Sequence, residues 1–175
     1  MMVVMGASAK AAITNPRPNL GKTLSVGRGE TLRLLLIYPR SSNANWLKAT
    51  ISAANHGRTE FTRVVNFEVA IRKLRQSSFD AIVTDGAVAE FTAAAATQRF
   101  FDAFPDLPVV VMAQSEEDSV ALEMLVNGAQ DYFVKDKSDG SAILKSIRYS
   151  MDLKRADRDL NYLSHHDKLI GSPRR

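Results

Sequence analysis

Short apolar runs alternate with amphipathic segments through the middle of the chain. Residues 34–37 and 109–112 are apolar throughout, which is typical of parallel strands that are covered on both faces. Between the runs, apolar residues recur every three or four positions, as they do along one face of a helix. From residue 31 onward the pattern therefore predicts five strands alternating with five helices. The predicted strands are 34–37, 61–65, 79–84, 109–112 and 129–134.

This alternation predicts the fold class. Strands that alternate with helices, joined by short loops and right-handed crossovers, favour a doubly wound α/β sheet. We expect a flavodoxin-like, five-stranded parallel sheet of order 2-1-3-4-5 with an extended C-terminal helix. The periodicity supports the α/β class, whereas the strand order is the natural choice for this class and does not follow from the periodicity.

The last predicted helix is longer than one domain requires. Its apolar positions continue past the core, several of them recur every seven residues, and charged residues lie between them. Such a stripe is typical of a two-stranded coiled coil, although one long amphipathic helix packed on its own domain would show a similar pattern. We favour a helix that forms a homodimer. Its predicted contact residues are Ile147, Met151, Leu153, Ala156, Leu160 and Leu163.

These patterns divide the chain into four parts. Residues 1–30 contain several prolines and glycines without periodicity, which predicts a flexible N-terminal leader. Residues 31–140 form the α/β domain, and residues 141–165 form the dimerisation helix. Residues 166–175 form a short final segment that follows this predicted helix.

The composition excludes several kinds of site. The 175 residues include no cysteine, which excludes disulfides and thiolate metal sites. No apolar run approaches the roughly 18 residues of a membrane span, so we expect a cytoplasmic protein with no membrane partner. The net charge of +4 is compatible with nucleic-acid binding. Because the basic residues are scattered over predicted helix surfaces, we instead expect solvated faces and no nucleic-acid partner.

Candidate chemistry lies at the ends of the strands. In open α/β sheets, ligands bind beyond the carboxyl ends of the strands. The third strand ends at Asp85, which glycine follows. The first strand ends at Tyr38 and Pro39, the fourth at Ala113 and the fifth at Lys135. These residues are therefore expected to share one edge of the sheet.

The strand ends resemble those of the receiver (CheY-like) domain of two-component response regulators, over about residues 32–151. The most specific stretches are 79–85, 107–112 and 128–135. The resemblance implies that Asp85 is the equivalent of the residue that accepts a phosphoryl group from a histidine kinase. It also implies that Lys135 matches the lysine that binds the phosphoryl oxygens. Tyr132 matches the switch aromatic, although a half-buried strand aromatic is the commoner reading.

Two elements of the receiver pattern are absent. The acidic pair that holds Mg²⁺ falls on Tyr38 and Pro39, and the hydroxyl residue of the fourth strand falls on Ala113. Mg²⁺ needs hard oxygen ligands, and alanine cannot hydrogen-bond a phosphoryl oxygen. We therefore predict a degenerate receiver that is not an enzyme, has no metal cofactor and pairs Asp85 with Lys135. The alternative is a functional receiver that is phosphorylated on Asp85 by a histidine kinase, using unusual Mg²⁺ ligands.

The final segment gives a second resemblance. Residues 163–174 are similar to the opening of GGDEF diguanylate cyclase domains, which implies a cyclic-di-GMP output controlled through helix pairing. No catalytic residue of a cyclase is present, so we expect a regulatory fragment or a remnant that lost its output. A histidine kinase or another signalling protein is a further expected partner. The residues that fit the GGDEF pattern are Asp167, Leu169, Gly171 and Arg174, and Ile170 and Pro173 depart from it.

Overall fold

A computed structural model of the chain describes residues 30–88 and 94–171, with side chains for 30–88 and 95–160. Within these ranges five strands alternate with five α-helices, and a short 3-10 helix precedes the last of them. The predicted leader lies outside the described residues except for residue 30, as do residues 172–175. The elements are β1 Leu32–Ile37, α1 Ser41–Ala54, β2 Thr59–Val64, α2 Phe67–Gln76, β3 Ala81–Asp85, α3 Ala94–Ala103, β4 Val109–Ala113, α4 Ser119–Asn127, β5 Asp131–Val134, the 3-10 helix Lys135–Lys137 and α5 Gly140–Gly171.

The five strands form one parallel sheet of order β2-β1-β3-β4-β5. This is the predicted 2-1-3-4-5 order, so the predicted fold class is confirmed. In the register, Ile37 pairs with Thr84, and Asp85 pairs with Met112 on the next strand. Ala113 pairs with Val134 in turn. The carboxyl ends of β1, β3, β4 and β5 therefore meet at one edge of the sheet.

Helices cover both faces of the sheet. Even-numbered residues of β1, such as Leu34, pack with α1 and α5 in one core cluster. Odd-numbered residues such as Leu35 pack in a second cluster whose helical residues come from α2, α3 and α4. Because both faces of each central strand are buried, the strands read as continuous apolar runs. No helix of the described ranges is both long enough and apolar enough to cross a membrane.

Helix α5 is continuous from Gly140 to Gly171. It extends through the predicted boundary at residue 165, so residues 166–171 belong to the same helix. Its first turns are part of the domain core. Ile147 and Met151 are 0% and 6% exposed and pack against α1 and the sheet. Their assignment to the dimer contact was wrong, because the domain itself covers them.

Farther along α5 the apolar side chains become accessible. Leu153 and Ala156 are half-buried, and Leu160 is 65% exposed. The side chain of Leu163 lies outside the described residues. The predicted contact stripe is therefore reduced, among described side chains, to Leu153, Ala156 and Leu160.

Candidate functional site

Asp85 ends β3 at the centre of the sheet, and its side chain is fully buried. The side-chain amide of Asn43 donates a hydrogen bond to its Oδ2 atom over 3.1 Å. The backbone N–H of Ala87 donates to its Oδ1 atom over 3.0 Å. A buried carboxylate needs such donors, because burying it without them costs several kcal/mol. Both oxygens of Asp85 are thus already hydrogen-bonded within the protein.

Lys135 follows β5 and lies close to the same edge. Its Nζ atom donates to the Oδ1 atom of Asn43 over 2.9 Å, and no ion pair joins it to Asp85 among the described residues. The predicted direct pair between Asp85 and Lys135 was therefore wrong, because the Asn43 amide bridges them. The ammonium group also lies 5.6 Å from the centroid of the Trp46 ring, within the range of a cation–π interaction.

Tyr38 stands where the receiver pattern has a carboxylate. Its side chain is fully buried in the cluster that contains α1 and α5. The hydroxyl has no hydrogen-bond partner among the described residues. Burial raises the pKa of Tyr38 well above its ordinary value, and the negative charge of Asp85 raises it further. Tyr38 therefore brings a neutral aromatic side chain close to Asp85.

The β1–α1 loop is fixed by a cation from the neighbouring strand. The Nε atom of Arg63 donates to the carbonyl oxygen of Tyr38 over 2.9 Å. Its Nη2 atom donates to the carbonyl oxygen of Pro39 over 2.8 Å. Two carbonyl oxygens of this loop are thus occupied by a guanidinium group, which also adds positive charge near the position of the absent acidic pair.

These residues do not fit a Mg²⁺ site. Mg²⁺ prefers near-octahedral oxygen ligands, usually with one or two carboxylates. The residues that the structure describes contain no group of three His, Cys, Asp or Glu side chains that could hold a metal ion. Asp136, which follows Lys135, is exposed. Neither Tyr38 nor Pro39 provides a carboxylate.

Ala113, the degenerate hydroxyl position, and Tyr132, the predicted switch aromatic, pack on the face of the sheet opposite Tyr38. Ala113 is fully buried, and Tyr132 is half-buried against the same cluster. The pKa of Tyr132 is raised, first by partial burial and then by the charges of Glu116 and Asp131. Since the Ala113 methyl group cannot hydrogen-bond, no side-chain hydroxyl at this position connects Tyr132 to Asp85.

Sequence reasoning missed Asn43, Trp46 and Arg63. Asn43 lies in the first turn of α1, directly beyond the end of β1, where a polar side chain faces the ends of the central strands. Its position in the amino-terminal turn of a helix after a strand was the available signal. Arg63 sits in an alternating strand pattern that gave no indication of its target. The contacts of both residues depend on which neighbours the sheet order provides.

Comparisons with known proteins agree with this geometry at the level of the fold. No protein-family model and no curated protein sequence matches the chain. Among solved structures it is similar to a two-component response regulator from Clostridium difficile, at 22% identity and a TM-score of 0.54, over 72% of this chain and 98% of that one.

Two further structures are similar in the same way. A CheY-like response regulator receiver domain protein from Methanospirillum hungatei JF-1 matches at 12% identity and a TM-score of 0.58, over 73% of this chain and 99% of that one. The receiver domain of the sensor histidine kinase PA1611 from Pseudomonas aeruginosa PAO1, which has a magnesium ion in its active-site cleft, matches at 16% identity and a TM-score of 0.57, over 69% and 98%. The chain therefore has the fold of response-regulator receiver domains.

Proposed function

We propose that the chain is a receiver-type signalling module that does not use the Mg²⁺-dependent phosphorylation route. In this proposal its helix α5 forms a homodimer and controls a GGDEF-type output. The observation that carries the proposal is the state of Asp85. It is fully buried with both oxygens hydrogen-bonded, and Tyr38 and Pro39 replace the acidic pair.

Phosphoryl transfer supports this reading because it depends on positioning and charge neutralisation. The Asp85 side chain is fully buried, so a phosphodonor reaches a carboxylate oxygen only after the groups that cover it have moved. Hydrogen bonds to charged groups contribute roughly 1.5–3 kcal/mol each, so any movement that breaks the contacts from Asn43 or Ala87 adds a cost to the reaction. Without the acidic pair, no metal ion would offset that cost at the developing negative charge.

Helix α1 offers a route from the site to α5. Asn43 and Trp46, at its amino-terminal end, contact Asp85 and Lys135. At its other end, Arg148 of α5 donates to the Oδ1 atom of Asn55 over 3.0 Å. A change in the hydrogen bonds of Asn43 would therefore be transmitted through α1 to the base of α5. This route does not need a hydroxyl at Ala113.

The exposed part of α5 supports the homodimer. Leu153 and Leu160 are seven residues apart on the helix, which is the spacing of one heptad seam. Leu160 is 65% exposed, and the three residues before it, 157–159, are charged. Pairing with a second copy would bury this leucine, and at about 25 cal/mol per Å² of apolar surface such burial favours association.

Phosphorylation of the full chain tests the proposal. The protein is incubated with Mg²⁺ and acetyl phosphate, and its intact mass is measured. Separately, beryllofluoride is added while the fluorescence of Trp46, the single tryptophan, is recorded. We expect no added phosphoryl group and no spectral change. Asp85→Asn serves as the control for the acceptor, and Asp80→Asn as a control carboxylate outside the site.

Incorporation of one phosphoryl group that Asp85→Asn abolishes and Asp80→Asn leaves intact would contradict the proposal. It would favour the alternative, a functional receiver phosphorylated on Asp85, for which a histidine kinase would be the expected donor.

A further inference from the structure

A groove of about 510 Å³ lies at the edge of the sheet opposite Asp85. Its walls are the loops that precede β3 and β4, and the middle of helix α5 closes it on one side. Small-molecule sites commonly enclose about 300–1,000 Å³, so the groove has room for a metabolite. It shares no residue with the Asp85 site.

Three cations of α5 face this groove. Lys154, Arg155 and Arg158 line it, together with the carboxylates of Asp80 and Asp106, so its side chains carry an excess of one positive charge. One carboxylate is partly engaged, because the backbone N–H of residue 33 donates to the Oδ2 atom of Asp80 over 2.7 Å. Counted over these five groups, positive charge exceeds negative charge in the groove, which favours an anion over a cation as its ligand.

Lys154 and Arg158 differ in the contacts that they already make. The Nζ atom of Lys154 donates to the carbonyl oxygen of Pro105 over 2.7 Å and so reaches across the groove. Its other two N–H bonds remain for a ligand. Arg158 is exposed and forms no ion pair within residues 30–88 and 95–160. A guanidinium group of this kind can bind a phosphate through two parallel hydrogen bonds.

The other walls complement a ligand with both polar and flat apolar parts. Ser77 and Ser78 are exposed and line the groove beside the cations. Phe79 and Phe104 are half-buried and line the groove, and the guanidinium group of Arg33 lies 5.7 Å from the centroid of the Phe79 ring. Hydroxyl groups suit phosphate oxygens, and aromatic rings stack with flat ring systems.

We propose that this groove binds a small phosphorylated metabolite of nucleotide size. Its phosphate lies on Lys154 and Arg158, and its ring system lies against Phe79 and Phe104. The ligand would hold α5 to the base of the domain just before the exposed Leu160. Binding stands independently of the proposed function, whereas its effect on the pairing of α5 rests on that function.

Titration calorimetry of the full chain at low salt and without Mg²⁺ tests the site. The probes are ATP, inorganic pyrophosphate and adenosine, which separate the phosphate contribution from the ring contribution. We expect ATP to bind with a dissociation constant below about 1 mM, pyrophosphate more weakly and adenosine most weakly. Arg158→Glu should weaken ATP binding at least tenfold, because it reverses the charge that meets the phosphate.

Arg72→Glu is the matched control, since Arg72 is an exposed arginine on α2 outside the groove. It should change the ATP affinity by less than about twofold. Absence of ATP binding up to about 1 mM overturns the proposal. So do equal losses in the two variants, which would indicate diffuse attraction to a basic protein.

Light scattering on the same samples separates this inference from the proposed function. ATP binding that is lost in Arg158→Glu establishes the site even where the dimer constant stays the same. A dimer constant that shifts with ATP in the unaltered protein, and not in Arg158→Glu, supports both the site and its role as an input.

Discussion

Among the described residues, Lys135 is connected to Asp85 through the side-chain amide of Asn43. The amide donates to Asp85 over 3.1 Å and accepts from Lys135 over 2.9 Å. An amide can do this because it has a donor and an acceptor on adjacent atoms. The opposite charges are therefore joined by two hydrogen bonds and held apart by one neutral group, which fixes the first turn of α1 above the carboxyl edge of the sheet.

Asn43→Ala is expected to destabilise the domain by about 2–4 kcal/mol, because a buried carboxylate loses a donor and Lys135 loses an acceptor. Urea unfolding followed by Trp46 fluorescence measures the change. Asn45→Ala is the control, since Asn45 is exposed on the same helix and its loss should cost less than about 0.5 kcal/mol. Equal effects of the two variants would contradict a bridging role for Asn43.

Tyr38→Phe is expected to leave the domain as stable or to stabilise it by about 1 kcal/mol, because the buried hydroxyl lacks a partner. The ring that fills the core is retained. Chemical unfolding at neutral pH measures this difference. A loss of more than about 1 kcal/mol would show that the hydroxyl is engaged in solution.

The same residue predicts an alkaline transition. The pKa of Tyr38 in the folded protein is raised above its ordinary value of 10.0, so the unfolded chain releases this proton first. Its contribution to stability is therefore full below pH 10.0 and falls as the pH rises beyond that value. Tyr38→Phe should reduce the loss of stability above this pH, as measured by thermal unfolding across the alkaline range. An unchanged alkaline profile would assign the transition to other groups, such as Tyr132.

Leu160→Glu is expected to weaken the proposed homodimer at least tenfold, because it places a charge on the proposed seam of α5. Light scattering over a range of protein concentrations gives the dimer constant. Val126→Glu is the matched control, since Val126 is 87% exposed on α4 and lies outside the seam. A stronger effect of Val126→Glu would move the interface to α4.

Gly140→Ala is expected to destabilise the domain by about 1–3 kcal/mol. A Cβ atom at this position would overlap the carbonyl oxygen of Thr50 in α1, so one helix has to move. Ser141→Ala, an exposed neighbour in the same turn, should change stability by less than about 0.5 kcal/mol. Thermal unfolding compares them, and similar small effects would show that α5 begins without close contact to α1.

The fold was predictable because the strands and the helices each carry a repeated pattern of apolar residues. Strands such as β4 are buried on both faces and therefore apolar at every position, and the end of β3 placed Asp85 at the candidate edge. The contacts of Asp85 were not predictable in this way. The opposite charges of Asp85 and Lys135 predicted a direct ion pair. In the structure, the position of α1 places the Asn43 side chain between them.

The dimer stripe shows a similar limit of sequence reasoning. Ile147, Met151 and Leu160 share a helical spacing, and burial by the same domain and burial by a partner both require apolar residues. Only the position of α5 on the sheet separates the first two from the third, which is 65% exposed. The absence of the acidic pair was predictable, because the apolar run of β1 shows where the strand ends and Tyr38 and Pro39 follow it directly.

The length of α5 beyond its buried part has a mechanical consequence. From Met151, the last buried apolar residue of the helix among the described side chains, the backbone continues to Gly171. At 1.5 Å per residue this is an arm of about 30 Å. A tilt of about 10° at the domain would displace its far end sideways by about 5 Å. In the proposed homodimer, small adjustments between α1 and α5 would thereby change the separation and the crossing angle of the two paired helices.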